Sequence, residues 1–296
     1  MKISIISFIT AALATFALTA TGSPPTAIAD PAVEAAAARI ELQGAVNVRD
    51  IGGYRTYDGA KVKSGKAIRA DSLDKLTPAD VQKLGSLNLK AAIDLRTPAE
   101  VQFSGPDKLP AGVQQVSRPI DDTGLFQQML QAIQSRDPQR QEELLGNGRA
   151  EEIMAGVYRS FFNTDSLAKF GQTIKDLAAT DKATLYHCTA GKDRTGWVTY
   201  VVLRAVGVPE QTARQDYLLS NQFRAAADAK LREDVKRAGL MQNPDLLIPL
   251  QEVRDAYLET AVDKLEADYG DFGKFLTQGL GLDGRTILQL RKNLVG

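Results

Sequence analysis

Short apolar runs alternate with amphipathic stretches along most of the chain, and this pattern predicts strands followed by helices. Four segments have the pattern of strands: "KAIRA", "LKAAIDLR", which is apolar enough to be buried, the stretch from Val113 to Ile120, and "ATLYHC". Two helices begin with the same signal, a threonine N-cap before a proline, at Thr77 and Thr97. Strands that alternate with helices favour an α/β fold with a mainly parallel central sheet flanked by helices.

The regions around this alternating pattern have patterns of their own. Asp58-Gly59 lies between two short polar-apolar stretches and predicts an N-terminal hairpin. The chain from Glu210 to Val295 predicts a C-terminal helical array, because apolar residues recur there at every fourth position. Between Asp121 and Asn163 the pattern predicts two helices around an exposed polar stretch, "SRDPQRQEELLGNG".

Residues 1–29 have the pattern of a signal peptide. Lys2 supplies a short positive region, an apolar run follows, and "AIA" at Ala27 to Ala29 offers small residues to a signal peptidase. An uncleaved membrane anchor is the alternative, because the run approaches the length of a membrane span. Residues 30–44 are alanine-rich and predict a linker or a frayed helix. We expect an exported protein, periplasmic or extracellular, without stable membrane insertion after cleavage.

Composition and charge narrow the classes of function. The chain has 296 residues, 44% of them hydrophobic, which is ample for a buried core. Its formal net charge of 0 argues against a nucleic-acid-binding protein held by bulk electrostatics. A single cysteine, Cys188, cannot form an internal disulfide. Because His187 is also the single histidine, a zinc site of the His/Cys type is excluded.

These two residues begin the sequence "HCTAGKDRTG", which leads from a predicted strand into a predicted helix. Backbone N–H groups converge at a helix N-terminus and suit a phosphate, Gly191 permits a tight curl, and Arg194 can clamp two phosphate oxygens. A helix N-terminus and nearby cations also favour the ionised form of a thiol, so we expect Cys188 to be a thiolate. A nucleophile beneath such a cradle suits phosphoryl transfer through a phosphocysteine intermediate.

Departure of the leaving group requires a proton from a nearby carboxylic acid. Three candidates follow from position: Asp193 within the loop, and Asp121 and Asp122 just beyond the "VSRPI" strand. Thr195 can donate a hydrogen bond to the thiolate and ease its departure in the second step. We expect His187 to point away from the cysteine and to hydrogen-bond the backbone of the loop.

Charged residues in two other motifs are candidates for the surroundings of this loop. The strand "AAIDLR" places Asp94 near its carboxyl end, where we expect Asp94 to pair with Lys192 and order the site; an ordinary charge pair is the alternative. "NVRDIGGYR" offers Arg49 or Asp50 to the rim, although a Gly-Gly turn with a local ion pair explains that motif equally well.

"HCTAGKDRTG" resembles the phosphate-binding loop of the protein tyrosine phosphatase superfamily. "NVRDIGGYRTYDG", "IRADSLDKLT", "AAIDLRTPAE" and "DYLLSN" complete the order of motifs found in its bacterial secreted tyrosine, dual-specificity and lipid phosphatases. The resemblance implies a cysteine-phosphatase-like fold over residues 45–296 as a single domain. It implies Cys188 as nucleophile, Arg194 as phosphate clamp and Asp193 as general acid, with no metal and no cofactor. The remaining substrate-binding candidates are Thr189, Ala190, Gly191, Lys192, Thr195 and Asp94.

The leading hypothesis is therefore an exported, cysteine-dependent phosphatase. Phosphotyrosine is the expected substrate, with phosphoserine, phosphothreonine and phosphoinositides as further ones, so the expected partners are phosphorylated proteins or phospholipids. Lys192 suits multiply charged substrates. Two alternatives remain: a secreted phosphatase of inositol polyphosphates or sugar phosphates, and a phosphate-binding module without catalysis. Residues 222–250 follow "DYLLSN" and are a candidate for a helical lid.

Overall fold

A six-stranded sheet lies at the centre of the fold in the computed structural model, which describes residues 37–296. In spatial order the strands are β1-β2-β3-β6-β4-β5. The pairs from β3 to β5 are parallel, while β1 and β2 are antiparallel additions at one edge. The predicted α/β fold with a mainly parallel sheet is confirmed. The strands are β1 (Ala38–Arg39), β2 (Arg49–Asp50), β3 (Ala67–Ala70), β4 (Leu89–Asp94), β5 (Gln114–Ser117) and β6 (Ala183–His187).

The N-terminal part of the described chain is joined to this sheet. The signal peptide predicted for residues 1–29 lies outside the described residues, as does the first part of the linker predicted for residues 30–44. From residue 37 onward the predicted linker instead packs on the fold: β1 pairs with β2, and the backbone N–H groups of Gln43 and Gly44 donate to the Asp80 carboxylate at 2.7 and 2.9 Å. The predicted hairpin turn at Asp58-Gly59 is present.

Twelve α-helices surround the sheet in the part of the chain that the structure describes. The helix starts predicted at Thr77 and Thr97 are confirmed, and at each one the threonine and the residue three positions later form a capping box. The helices are α1 (Pro78–Gly85), α2 (Pro98–Ser104), α3 (Leu125–Ser135), α4 (Pro138–Leu145), α5 (Arg149–Ser160), α6 (Thr164–Ala178), α7 (Arg194–Ala205), α8 (Glu210–Arg237), α9 (Ile248–Gln251), α10 (Asp255–Tyr269), α11 (Phe272–Lys274) and α12 (Gly284–Leu294).

Between Asp121 and Asn163 the prediction of two helices is wrong, because the structure has three. The polar stretch expected to be an exposed loop contains α4, which Asp137 caps by accepting from the N–H groups of the next turn. The helix carries few apolar residues, so its periodicity gave little signal. Gln141 anchors it instead: its buried side-chain amide donates to the backbone oxygens of Ala132 and Leu240 at 3.1 and 2.8 Å.

Helix α7 runs through the core behind the predicted loop. Trp197 and Tyr200 are fully buried on it and stack with their ring centroids 5.6 Å apart. This packing fixes the helix whose first residue is Arg194. The C-terminal array is also present, and residues 222–250 comprise the rest of α8, a short 3₁₀ helix (Pro244–Leu247) and most of α9. None of the described helices is both long and apolar enough to cross a membrane.

Candidate active site

Cys188 directly follows β6, which lies between β3 and β4 in the parallel part of the sheet. Ligands of parallel α/β sheets bind beyond the carboxyl ends of the strands, so this is the position expected for a site. Six residues later α7 begins at Arg194. Cys188 is 1% exposed and is the free thiol at the base of the intervening loop.

Three consecutive carbonyl oxygens of the loop, those of residues 189–191, accept hydrogen bonds from donors outside it. The backbone N–H of Ser72 donates to the oxygen of Thr189 at 3.1 Å. The Asn47 amide donates to the oxygens of Ala190 and Gly191 at 3.0 and 3.1 Å. In a trans peptide the N–H group points opposite to the carbonyl, so the N–H groups that follow these carbonyls face the other side of the loop. Successive N–H groups arranged in this way form a cradle for an anion.

Gly191 occupies the tightest point of this loop. Its φ of +65° belongs to the left-handed region, which side chains other than glycine rarely adopt. A Cβ at this position would also lie 2.4 Å from the backbone oxygen of Ala70. The loop can therefore approach the end of β3 only because this residue has no side chain.

A buried ion cluster supports the loop from beneath. Arg49 and Arg69 are fully buried and bond the carboxylate of Asp216 at 3.0 and 2.6 Å. Burial opposes ionisation of Asp216, but Arg49 and Arg69 lower its pKa to about 2. Arg69 also donates to the Gly191 oxygen at 2.8 Å, which connects the cluster to the loop.

This cluster gives the motifs "NVRDIGG", "IRA" and "DYLLSN" a shared structural role. Arg49 does not reach the rim that the sequence suggested, because it points into the core toward Asp216. Asp50 does form the local turn that was the alternative, since it accepts from the backbone N–H of Gly52 at 2.8 Å. Sequence reasoning missed the pairing of Arg49 with Asp216 because 167 residues separate them.

Arg194 is held at the helix start by Glu100, a residue that the sequence analysis did not select. The two guanidinium nitrogens lie 2.6 and 2.8 Å from the two carboxylate oxygens, and Thr189 donates to the same carboxylate at 2.5 Å. Burial opposes ionisation of Glu100, but Arg194 and these hydrogen bonds lower its pKa to about 2. The sequence analysis took the motif that contains Glu100 only as a helix start, and Glu100 does complete the capping box of α2.

Asp193 lies beside two donors. Lys192 places its ammonium 2.9 and 2.7 Å from the two carboxylate oxygens, and the Tyr158 hydroxyl donates at 2.9 Å. The expected pairing of Lys192 with Asp94 is therefore wrong. Asp94 instead bonds Arg96, whose guanidinium is 2.8 Å away and only two residues further along the chain. The alternative of an ordinary charge pair at the strand end describes Asp94 correctly.

His187 contacts the loop backbone, as expected. Its Nδ1 lies 3.2 Å from the oxygen of Cys188, and its Nε2 lies 2.9 Å from a carboxylate oxygen of Asp107. Burial opposes the charged form of the ring, but Asp107 and then Asp94 raise the pKa of His187. These three side chains have metal-ligand chemistry. However, the Arg96 guanidinium already bonds both carboxylates at 2.8 Å and takes the place of a cation.

The other two acid candidates lie on the loop before α3. Asp121 is exposed and accepts from the N–H of Thr123 at 3.0 Å. Asp122 is buried and accepts from the N–H groups of Gly124 and Phe126, both at 3.0 Å. Burial and then the charge of Glu100 raise the pKa of Asp122. Geometry thus gives Asp122 a structural role at the start of α3, while its raised pKa keeps it a candidate for proton transfer.

Thr195 follows Arg194 on the first turn of α7. Its Oγ1 is buried and has no hydrogen-bond partner among the described residues. A buried hydroxyl without a partner is costly, so such a group in a loop of this kind is available for a ligand or a nearby thiolate. The expected donation to the thiolate of Cys188 stays a prediction.

Comparison with known proteins agrees with this geometry. The sequence model of the tyrosine phosphatase family matches residues 40–296. The chain belongs to this family. Its relatives include a candidate tyrosine-protein phosphatase of Cupriavidus necator, 29% identical, with 83% of this chain and 84% of the relative covered. Another is the triple specificity protein phosphatase PtpB of Mycobacterium tuberculosis, 27% identical, with 86% of this chain and 99% of the relative covered.

Among solved structures, the crystal structure of Pseudomonas aeruginosa TpbA is 17% identical, with a TM-score of 0.30 over 71% of this chain and 94% of that one. The likeness to TpbA is therefore slight. The family match and its relatives identify this member as a phosphatase of the tyrosine phosphatase type, which hydrolyses phosphoric monoesters.

Proposed function

We propose that this phosphatase hydrolyses phosphotyrosine in proteins through a phosphocysteine intermediate. One observation supports the proposal. Cys188 lies at the base of a loop whose carbonyl oxygens accept hydrogen bonds from outside the loop, and Arg194, at the N-terminus of the helix that follows, is held in place by Glu100. The sulfur attacks phosphorus, the S–P bond forms, and the P–O bond to the leaving group breaks. The leaving oxygen takes the proton of Asp193.

In the second step water attacks the phosphocysteine. Asp193, now ionised, accepts a proton from that water, and Cys188 departs as a thiolate. The unpartnered hydroxyl of Thr195 can donate to this thiolate. Arg194 and the backbone N–H groups stabilise the charge on the transferring phosphoryl group throughout both steps. Apart from the attacking water, each of these roles uses side chains or backbone groups of the protein, without a metal or a cofactor.

The proposal extends to phosphoserine, phosphothreonine and phosphoinositides as further substrates. A relative that covers most of the chain carries the name triple specificity protein phosphatase. Two further cationic side chains lie at the loop: Lys192 within it, and Arg224 beside it, which donates to the Ala190 oxygen at 3.3 Å. Positive charge beyond Arg194 favours substrates that carry more than one phosphate.

The test is hydrolysis of a phosphotyrosine peptide, phosphoserine and phosphothreonine peptides, and a panel of phosphoinositides, with a metal chelator present. We expect chelator-resistant turnover that Cys188→Ser abolishes and a trapped phosphocysteine that mass spectrometry places on residue 188. Faster turnover of inositol hexakisphosphate than of any peptide would instead favour the inositol polyphosphate alternative. Phosphopeptide binding without turnover would favour a binding module.

Export is part of the proposal and rests on the pattern of residues 1–29. Expression of the full chain followed by fractionation and N-terminal sequencing tests it. We expect mature protein that begins near residue 30 outside the cytoplasm. Protein with an intact N-terminus in the membrane fraction would favour the uncleaved anchor, and intact protein in the cytoplasm would contradict export.

A further inference from the structure

Two buried tyrosines connect the general-acid candidate to the C-terminal helices. The Tyr158 hydroxyl on α5 lies 2.9 Å from Asp193 Oδ1 and 2.7 Å from the hydroxyl of Tyr217 on α8. The Tyr217 hydroxyl lies 3.5 Å from the backbone oxygen of Arg254. Tyr158 and Tyr217 are both fully buried, so their hydroxyls must find partners within the protein.

We propose that Tyr158 is a positioning residue that holds Asp193 in the orientation from which it gives its proton to the leaving group, with Tyr217 aligning the Tyr158 hydroxyl. This inference rests on the proposed function and adds to it the means by which the acid is placed. Neither tyrosine was among the residues selected from the sequence. Tyr158 lies within an apolar helical stripe, a pattern that is typical of the hydrophobic core, and Tyr217 belongs to "DYLLSN".

The chain of hydroxyls accommodates both states that a general acid must adopt. Each tyrosine has one proton to donate. When Asp193 is ionised, Tyr217 donates to Tyr158 and Tyr158 donates to Asp193. When Oδ2 carries the proton, Tyr158 still donates to Oδ1 and the Oδ2 proton is left for the leaving group. Each tyrosine hydroxyl therefore keeps the same acceptor in both states.

Lys192 does not fix one orientation of Asp193, because its ammonium contacts both carboxylate oxygens, at 2.9 and 2.7 Å. An ammonium group only donates hydrogen bonds, so it cannot accept from a proton on Oδ2. The Tyr158 hydroxyl contacts Oδ1, and this contact stays the same whether or not Oδ2 carries the proton. This difference assigns orientation of the protonated acid to Tyr158.

The loop of residues 252–254 supports this arrangement from the outside. Asn221 makes two hydrogen bonds with the backbone of Val253, both at 2.8 Å. The neighbouring oxygens of Glu252 and Arg254 accept from Lys192 at 3.3 Å and from Tyr217 at 3.5 Å. The last residue of "DYLLSN" therefore fixes the loop that receives the end of the hydroxyl chain.

The test compares leaving groups, because a residue that positions the acid matters only when the leaving group needs a proton. The substrates are phenyl phosphate, whose phenolate departs poorly, and p-nitrophenyl phosphate, whose phenolate departs readily. For Tyr158→Phe we expect kcat to fall about tenfold with phenyl phosphate, the factor for one lost hydrogen bond to a charged group, and less than about twofold with p-nitrophenyl phosphate. Tyr217→Phe should also lower kcat selectively with phenyl phosphate, but by a smaller factor than Tyr158→Phe.

Tyr257→Phe is the matched control. Its ring packs 6.2 Å from that of Tyr158, but its hydroxyl donates to the oxygen of Pro249. We expect equal kcat ratios for the two substrates in this variant and the wild type. Equal losses with both substrates in Tyr158→Phe would mean general damage to the fold and would overturn the positioning role.

Two further outcomes separate this inference from the proposed function. In one outcome the wild type is active, but Asp193→Asn does not lose activity selectively with phenyl phosphate. Asp193 would then not be the acid, so the inference would be overturned while the phosphatase proposal stays intact. No turnover of either substrate by the wild type would overturn the proposed function itself.

Discussion

Glu100 accepts hydrogen bonds from both terminal nitrogens of Arg194, with nitrogen-to-oxygen distances of 2.6 and 2.8 Å, and both side chains are buried. The parallel two-point contact fixes the plane of the guanidinium as well as its position. The same carboxylate also accepts from the N–H of Thr97 at 2.7 Å, so the pair ties α2 to the first turn of α7. Glu100 therefore determines the position and orientation of Arg194 before a phosphate binds.

We predict that Glu100→Gln lowers kcat/KM for a phosphotyrosine peptide about tenfold, because one charged hydrogen-bonding partner of Arg194 is lost. Breaking a buried ion pair should also lower the free energy of unfolding by about 3 kcal/mol. Enzyme assays and urea unfolding measure the two effects. Glu143→Gln is the control, since Glu143 pairs with Arg140 on the surface. Equal losses in the two variants would contradict the assigned role of Glu100.

The stabilisation from Glu100 should depend on pH. Its pKa is about 2 in the folded protein, below its ordinary value of 4.5, so the folded state favours the ionised form. The contribution is therefore complete above pH 4.5 and disappears as the pH falls through about 2. Unfolding of the wild type and of Glu100→Gln from pH 7 to pH 2 should give a difference that shrinks below pH 4.5. A constant difference would contradict this linkage.

Asp216 is the counterion of both buried arginines beneath the loop. Asp216→Asn leaves Arg49 and Arg69 without a negative partner, and we predict a loss of about 3–5 kcal/mol in unfolding free energy together with loss of activity. Asp234→Asn on the same helix is the control, because Asp234 pairs with the more exposed Lys230. It should change the unfolding free energy by less than about 0.5 kcal/mol. Thermal and urea unfolding measure the stability of both variants. Similar losses of unfolding free energy in Asp216→Asn and Asp234→Asn would argue against a buried cluster.

Local signals predicted the parts of the fold that local physics determines. The starts of α1 and α2 were correct because a threonine N-cap before a proline is a signal contained within one turn. The parallel sheet followed from the alternation of strands and helices. Helix α4 was missed because Gln141, rather than an apolar stripe, anchors it.

The site was predictable where the chemistry lies within a few residues and not where it depends on distant pairing. Cys188, Gly191 and Arg194 are close together in the sequence, and their spacing, together with their position between a strand and a helix, indicated a phosphate site. The partner of Arg194 lies 94 residues away, and its motif was already explained as a helix cap. The pairing expected between Asp94 and Lys192 failed because each has an oppositely charged neighbour closer along the chain.

Gly191 should tolerate no side chain. Gly191→Ala combines a left-handed backbone with a Cβ 2.4 Å from the Ala70 oxygen, so the loop must move away from β3. We predict at least a hundredfold loss of kcat/KM, since small displacements of reacting groups cost about that factor. Gly59→Ala is the matched control: its φ is +84°, but a Cβ there has open space.

The control isolates the backbone penalty from the clash. Gly59→Ala should lower the unfolding free energy by about 1 kcal/mol and leave kcat/KM unchanged. Phosphotyrosine hydrolysis and urea unfolding of both variants provide the comparison. Full activity of Gly191→Ala would show that the loop does not need its close approach to β3.

Asp122 is the remaining rival of Asp193 for the role of general acid. Its raised pKa, due to burial and then to Glu100, favours a protonated carboxyl, which an acid needs. Its geometry favours a structural role, because its two oxygens accept from the N–H groups of Gly124 and Phe126 at 3.0 Å.

We therefore predict that Asp122→Asn lowers the unfolding free energy by about 1 kcal/mol, because asparagine keeps one accepting oxygen and one of the two backbone N–H groups loses its acceptor. The ratio of kcat for phenyl phosphate and p-nitrophenyl phosphate should stay unchanged. Asp121→Asn, on the same loop but exposed, should change neither quantity. Asp193→Asn should lower kcat for phenyl phosphate by about a hundredfold or more, as loss of a general acid does. If the selective loss with phenyl phosphate occurs in Asp122→Asn instead, the leaving-group proton comes from Asp122, and Asp193 acts only as the partner of Lys192.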